Sequence, residues 1–265
     1  MSTLTLTKHH GLGNDFLVVF DAQVDDLPAV ARRLCDRRRG VGADGLLVGD
    51  DSADAARMVL FNADGSRAEM SGNGIRCFAQ AVARRRGSLE PLTVLTDAGE
   101  RLVEMTPTED PSVLFAAVDM GPVEPLAAPQ AWATLGCDPM RPVAHLSLGN
   151  PHSVVAVDDV STVDVLALGL KVPDINLEIV EAGPEPHAIT MRVHERGAGV
   201  TEACGTGACA SAWAAHAWGM VPATATEIVV HMDGGDAKVR LHQPSNGRVT
   251  LVGPTQFIAT ITVSA

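Results

Sequence analysis

Two short turns in this chain carry residues that could move a proton. "EMSGNGIRCFA" at 69–79 and "EACGTGACASA" at 202–212 each set a short nucleophilic side chain, Ser71 or Cys204, before a Gly-x-Gly turn that leads into a helical run. A helix N-terminus presents unpaired N–H groups and a partial positive charge, so Gly72 and Asn73, and likewise Gly205 and Thr206, are placed to hold a carboxylate. The same field should lower a thiol's pKa toward the thiolate, which makes Cys204 a reactive-thiol candidate. A small buried residue after a turn is the plainer reading of Cys204, and the duplication of the turn counts against it. Cys77 and Cys209 fall inside the helical runs and read as core.

Amides and charges recur near these turns. Asn14 ends "GLGN", Asn150 and His152 stand in "SLGNPH", and Asn62 lies in "FNADGS"; "HERGAGVTEACGTG" puts Glu195 and Arg196 just upstream of Cys204. Singly each is an ordinary turn residue. Together they supply amide donors, a cation for a carboxylate and an acid for an ammonium group, which describes an amino-acid site.

Other chemistries fit less well. "GVGADG" at 40–45 matches G-x-G-x-x-G, but an Arg-rich helical pattern precedes it and a strand pattern follows, so it reads as a helix stop and turn, not a dinucleotide loop. The Cys204/Cys209 spacing without supporting histidines makes a poor zinc site, and no metal is expected. Three lysines, none in a glycine-rich motif, count against Schiff-base chemistry, and no cofactor is expected. The runs Arg37–Arg39 and Arg84–Arg86 read as solvated helix C-termini. A net charge of −12 works against nucleic acid and anionic membrane as partners and favours a small molecule. Five irregularly spaced cysteines and an N-terminus without a signal pattern point to a reducing, cytoplasmic setting.

The elements that must position these residues come in two sets. The L-G-N turns lie 136 residues apart and the S/C-G-x-G turns 133, close to half of the 265-residue chain, which argues for a duplicated fold. Strand patterns cover 3–8 and 14–20 as a hairpin about Gly11–Gly13, then "GLLVGD", "ARMVLFN", "PLTVLTDAG" and "RLVEMTP". Helices are predicted over 26–39, capped by Asp26 and stopped by Gly40, and over about 74–86, stopped by Gly87. The second half repeats this with strands near 143–148, 153–157, 188–193, 226–232, 237–242 and 248–252, and helices near 161–169 and 206–219. The Pro-rich stretch 120–130 is the linker candidate, dividing the chain into 1–119, with a final strand at about 256–265 returning to it, and 120–255. The expected fold class is α+β, in two similar domains.

The blocks "KHHGLGNDF", "DRRRGVGADGLL", "FNADGSRAEMSGNGIRCFA", "LGNPHSVV" and "HERGAGVTEACGTGACA" resemble, in order, the signature blocks of the diaminopimelate epimerase family. The resemblance implies two pseudo-symmetric domains, each a central helix wrapped by mostly antiparallel strands. It also implies cofactor-independent interconversion of LL- and meso-diaminopimelate, for lysine and cell-wall synthesis, by a pair of cysteines, one from each domain. Carried over by motif, Cys204 is one acid/base group, with His152 and Glu195 assisting. Asn14, Asn62, Asn150, Asn176 (in "PDINLEIV"), Glu195 and Arg196 would hold the substrate's ends, and Gly72, Asn73, Gly205 and Thr206 its α-carboxylate. Two positions depart: Gly45 stands where some relatives carry glutamine, and Ser71 stands where the family has its other catalytic cysteine. An alcohol is a far weaker acid than a thiol, so two-base turnover should be impaired. Besides an epimerase with one base replaced, a one-thiol dehydratase or racemase of the proline racemase group and a catalytically silent amino-acid-binding homologue remain open, as does pairing into a homodimer.

Overall fold

The computed structural model describes residues 3–22, 24–242 and 247–264. By compactness the chain divides into one unit running to Val118 and resuming at Gly253, and a second from Asp119 to Val252. The elements, in order, are β1 (Thr3–Gly11), β2 (Asn14–Phe20), α1 (Leu27–Cys35), β3 (Gly45–Asp50), β4 (Ala56–Asn62), β5 (Arg67–Ala68), α2 (Gly72–Arg86), β6 (Leu92–Thr96), β7 (Gly99–Pro107) and β8 (Val113–Pro122). There follow β9 (Glu124–Pro125), β10 (Val143–Ser147), β11 (Pro151–Ala156), α3 (Val165–Gly169), β12 (Asn176–Ala182), β13 (Ala188–Glu195), β14 (Gly199–Thr201), α4 (Gly205–Ala217), β15 (Glu227–Met232), β16 (Gly235–Leu241) and β17 (Arg248–Ser264).

Both units use one succession of pairings. In the first, β1–β2 is antiparallel, β2–β3 parallel, β3–β4 antiparallel, β4–β6 parallel, and β6–β7 and β7–β8 antiparallel. In the second, β10–β11, β11–β12, β12–β13, β13–β15, β15–β16 and β16–β17 repeat that alternation. The strand set of each unit wraps one helix: α2 packs against β1–β4, β6 and β7, and α4 against β10–β13, β15 and β16. A helix surrounded in this way buries every side, so its residues are apolar, small, or polar with hydrogen-bond partners. The first twelve residues of α2, Gly72–Ala83, are all buried, and α4 is mostly Gly, Ala, Ser and Cys, with Thr206, Trp213 and His216 among them. The fold is α+β.

Several local expectations are corrected. The helix predicted over 26–39 is capped by Asp26, which accepts from the Ala29 N–H, but it ends at Cys35. The Asp36 carboxylate accepts from the Arg38 and Arg39 N–H groups at 2.7 and 2.8 Å and closes a turn there. Gly40 then lies so close to the helix end that a Cβ would sit 2.2 Å from the Arg33 carbonyl. The arginine runs are not simply solvated: Arg37 binds Asp15 and Asp44, Arg85 pairs with Asp21, Arg86 with Asp51, and Arg84 lies 3.7 Å over the Phe257 ring. The helix expected over 161–169 is a 3-10 turn at Val160–Thr162 followed by α3, because Asp159 and Asp164 each start a new turn. Strands β8 and β12 were not anticipated. The strand expected to stop at 252 continues as β17 through Gly253 and Pro254, where the Pro254 carbonyl is bound by Arg76. Ala265, at the end of the expected returning strand, lies outside the described residues.

Candidate active site

Ser71 and Cys204 hold the same position in their units: each is the N-cap of the wrapped helix. Ser71 has extended backbone (φ −139°, ψ 123°), and its Oγ accepts from the Gly74 N–H at 3.0 Å. Cys204 matches it (φ −127°, ψ 113°), with Sγ accepting from the Gly207 N–H at 3.3 Å. The helices therefore begin at 72 and 205, slightly earlier than the sequence pattern suggested. The second glycine of each G-x-G makes room for the cap: a Cβ on Gly74 would stand 3.2 Å from Ser71 Oγ, and one on Gly207 3.2 Å from Cys204 Sγ. Capping uses the N–H of the third helical residue, and the N–H groups of Gly72, Gly205 and Thr206 precede the first intrahelical donors.

In the first unit a polar chain braces the start of α2. The fully buried Arg76 donates to Asn73 Oδ1 at 2.8 Å, Asn73 Nδ2 to Asn14 Oδ1 at 3.2 Å, and Asn14 Nδ2 to Asp44 Oδ2 at 2.8 Å. Asp44 and Asp15 in turn bind Arg37, and Asp15 also binds Lys8 at 2.8 Å. Burial alone would raise the Asp15 carboxyl, but hydrogen bonds from Arg37 and Lys8 and their charges hold it below its ordinary value. Asn14 is delivered by a hairpin whose Leu12 is buried and left-handed (φ 56°), a conformation costly for a side-chain residue and held here by packing. Asn62 closes its own turn, donating to Ser66 Oγ at 3.0 Å. Gly45 has no space for a longer residue, since its Cβ would lie 2.9 Å from the Phe61 carbonyl.

The second unit places acids and a histidine around the thiol. His152 Nδ1, on β11, lies 2.6 Å from Glu178 Oε1 on the adjoining β12, its Nε2 lies 3.0 Å from Asn150 Oδ1 in the bend before β11, and Asn150 Nδ2 donates to Thr206 Oγ1 at 3.2 Å. Thr206 Oγ1 is 3.5 Å from Cys204 Sγ. Glu195 accepts from Thr201 Oγ1 at 2.5 Å and from the Cys204 thiol, and against both of these burial raises its carboxyl above the ordinary range, helped by the nearby Glu178. Asn176 turns its amide to main chain, donating to the Pro151 carbonyl and accepting from the Arg196 N–H at 2.9 Å, so it fixes the path of Arg196.

The thiol does not behave as the helix N-terminus alone suggested. Burial, then the charges of Glu195 and Glu178, push Cys204 well above the ordinary thiol value, against smaller opposing effects from Thr206 and the Gly207 N–H. Desolvation outweighs the helix field, so the resting group is a thiol. Cys35 and Cys77 are each pushed up to about 12, mainly by burial, as suits core residues. Glu178, Asp15, Asp44, Thr201 and Arg76 were missed from sequence. The signal for Glu178 was there: a lone acid in the apolar run "INLEIV". Among the described residues no cluster of three or more His, Cys, Asp or Glu is placed to hold a metal, and no helix is long and apolar enough to cross a membrane.

Comparison with known proteins converges on one family. The diaminopimelate epimerase family model matches residues 6–126 and 145–258. The chain is 38% identical to the diaminopimelate epimerase of Desulfitobacterium hafniense, covering 96% of both chains, and 37% identical to that of Geobacillus kaustophilus, covering 98% of this chain and 96% of the other. The fold is shared more widely. A phenazine biosynthesis protein from Bacillus anthracis superposes with a TM-score of 0.76 at 16% identity over the full length of both chains. A hydroxyproline epimerase from Agrobacterium vitis, with bound trans-4-hydroxy-L-proline, gives 0.70 at 14% identity, covering 98% of this chain and 92% of the other. With its sequence blocks, its doubled topology and its helix-capping Cys204 in agreement, the chain belongs to the diaminopimelate epimerase family of isomerases.

Proposed function

We propose that this chain is built to invert one α-carbon of diaminopimelate, interconverting the LL and meso isomers without a cofactor, and that Ser71 leaves it with one of the two bases this requires. The observation that carries the reading is Cys204 at the N-cap of α4, with Glu195 and Thr206 against its sulfur. Inversion needs a base on one face of the carbon and an acid on the other. Cys204 serves one face: Glu195, whose raised carboxyl can accept the thiol proton, generates the thiolate, and the thiolate takes the Cα proton. Each wrapped helix offers its first N–H groups, Gly72 in one unit and Gly205 and Thr206 in the other, to a carboxylate, and such donors stabilise the charge that develops as the proton leaves. Asn14, Asn62, Asn150 and Arg196 hold the polar ends, with Asn176 fixing Arg196 and His152 assisting the proton's movement. Ser71 serves the other face, and its hydroxyl is too weak an acid and base near neutral pH to keep pace.

A cytoplasmic enzyme of lysine and peptidoglycan-precursor synthesis, with or without a second copy as partner, fits this reading. Ser71→Cys tests it: the folded variant should convert LL-diaminopimelate to the meso form, followed by chromatography that separates stereoisomers. A folded Ser71→Cys chain that leaves LL-diaminopimelate unchanged overturns the proposal.

A further inference from the structure

We propose that Glu178 is a positioning residue at the far end of a directional hydrogen-bond chain that aims the Thr206 hydroxyl at the Cys204 sulfur and makes the thiolate attainable. The chain runs Glu178, His152, Asn150, Thr206, Cys204, with steps of 2.6, 3.0, 3.2 and 3.5 Å. Its direction follows from the donors. Asn150 gives an N–H to Thr206, so its carbonyl oxygen faces His152 and can only accept. His152 Nε2 must therefore carry a proton, which leaves one proton to be shared between Nδ1 and Glu178 Oε1. Thr206 Oγ1, accepting from Asn150, is free to turn its own hydrogen to the sulfur.

Two observations set this chain apart from ordinary packing. Glu178 is completely buried, and its Oε2 has no hydrogen-bond partner in the structure. A buried full carboxylate would be costly with a bare oxygen, whereas a carboxyl sharing a proton with an imidazole needs less from its second oxygen. The first unit, on the same topology, has no counterpart: Phe16 and Leu47 occupy the places of His152 and Glu178, two residues after Asn14 and Gly45 as the latter are after Asn150 and Asn176. The chain is thus a feature of the half that holds the thiol, not a requirement of the fold.

The groups facing Cys204 are Glu195 from β13, Glu178 from β12, whose Oε1 adjoins Gly207 as the sulfur does, and the Thr206 hydroxyl and Gly207 N–H from α4. Negative charge on Glu195 and Glu178 opposes ionisation, so beside proton transfer to Glu195 it is these two donors that favour the thiolate, and Asn150 points one of them. An asparagine cannot pass a proton along, so the chain transmits orientation only.

The inference rests on Cys204 being the acid/base group, but the test reads the thiol directly and does not depend on epimerisation. The alkylation rate of Cys204 by iodoacetamide is followed by peptide mass spectrometry from pH 6 to 9.5. Glu178→Leu and Glu178→Gln both remove the charge that opposes ionisation, but only the glutamine amide can donate to Nδ1 and keep the proton on Nε2, so the leucine variant should react about tenfold more slowly than the glutamine one near neutral pH, the equivalent of one pKa unit. Thr206→Val should cost the glutamine variant the same tenfold and cost the leucine variant nothing further. A folded leucine variant as fast as the glutamine one, or a full tenfold loss when Thr206→Val is added to Glu178→Leu, overturns the proposal. Nitrogen-15 spectra of the parent chain decide independently of whether any variant folds: Nε2 of His152 should bear a proton, and a bare Nε2 with the proton held on Nδ1 refutes the assigned direction.

Discussion

Replacing Arg76 by methionine should destabilise the first unit more than any substitution at its rim. Arg76 is fully buried and donates to Gly72 O at 3.1 Å, Asn73 Oδ1 at 2.8 Å and Pro254 O at 3.3 Å. Gly11 and Gly253 exist as glycines against it, since a Cβ on either would approach the guanidinium to 3.1 Å. Methionine keeps the length and removes every donor. Gly72 O retains its place in the helix, but Asn73 Oδ1 and Pro254 O lose a buried partner, at about 1–3 kcal/mol each. Added apolar burial returns about 1 kcal/mol, so the net loss is about 3 kcal/mol. That is a large share of the 5–15 kcal/mol that typically separates folded from unfolded chains. Urea unfolding followed by circular dichroism measures it, and Arg76→Lys, which restores one donor without the planar fork, should fall between. A loss under about 1 kcal/mol for the methionine variant would refute the view that this buried cation braces Asn73 and the β17 main chain.

Two further outcomes follow from the same reasoning. His9 is held neutral by burial, which lowers it to about 4 against the opposing hydrogen bond that its Nδ1 donates to Gln80 Oε1, with Arg84 and His10 adding to the lowering. Its folded value lies below the unfolded one, so as pH falls from about 6.5 to 4 the unfolded chain gains a proton that the native chain refuses. Stability should drop by about 2–3 kcal/mol over that window and be unaffected above it. His9→Asn should flatten this part of the profile in urea titrations at pH 7 and 4.5; equal pH slopes in parent and variant would contradict the assignment. Ser71→Cys should cost about 0.5–1 kcal/mol in thermal or urea unfolding, because a thiol is a poorer N-cap than a hydroxyl for the Gly74 N–H. A stabilised variant would mean the cap bond contributes nothing.

What the sequence made legible was what depends on neighbours in the chain. The strands Gly45–Asp50 and Ala56–Asn62 and the stop at Gly87 were bounded correctly because turn residues flank them. The two S/C-G-x-G turns showed where the wrapped helices begin, although the pattern could not tell that Ser71 and Cys204 are themselves the caps. Long-range partners were out of reach. Arg37 reads as a helix end until Asp15 and Asp44 arrive from other strands. Gly253 and Pro254 read as a strand break until Arg76 is seen to bind there. Cys204 illustrates the limit most clearly: the local helix field predicts a lowered thiol, and the burial and carboxylates contributed by β12 and β13 reverse the sign.

The most direct test of the account is deuterium exchange at the α-carbon of diaminopimelate in D2O by the chain as it stands, with Ser71 in place. One thiol serving one face should wash deuterium into a single stereochemical form with its configuration retained, and Cys204→Ala should abolish the signal. Exchange that persists without the Cys204 thiol, or full inversion by the Ser71 chain at a rate equal to that of Ser71→Cys, would contradict it.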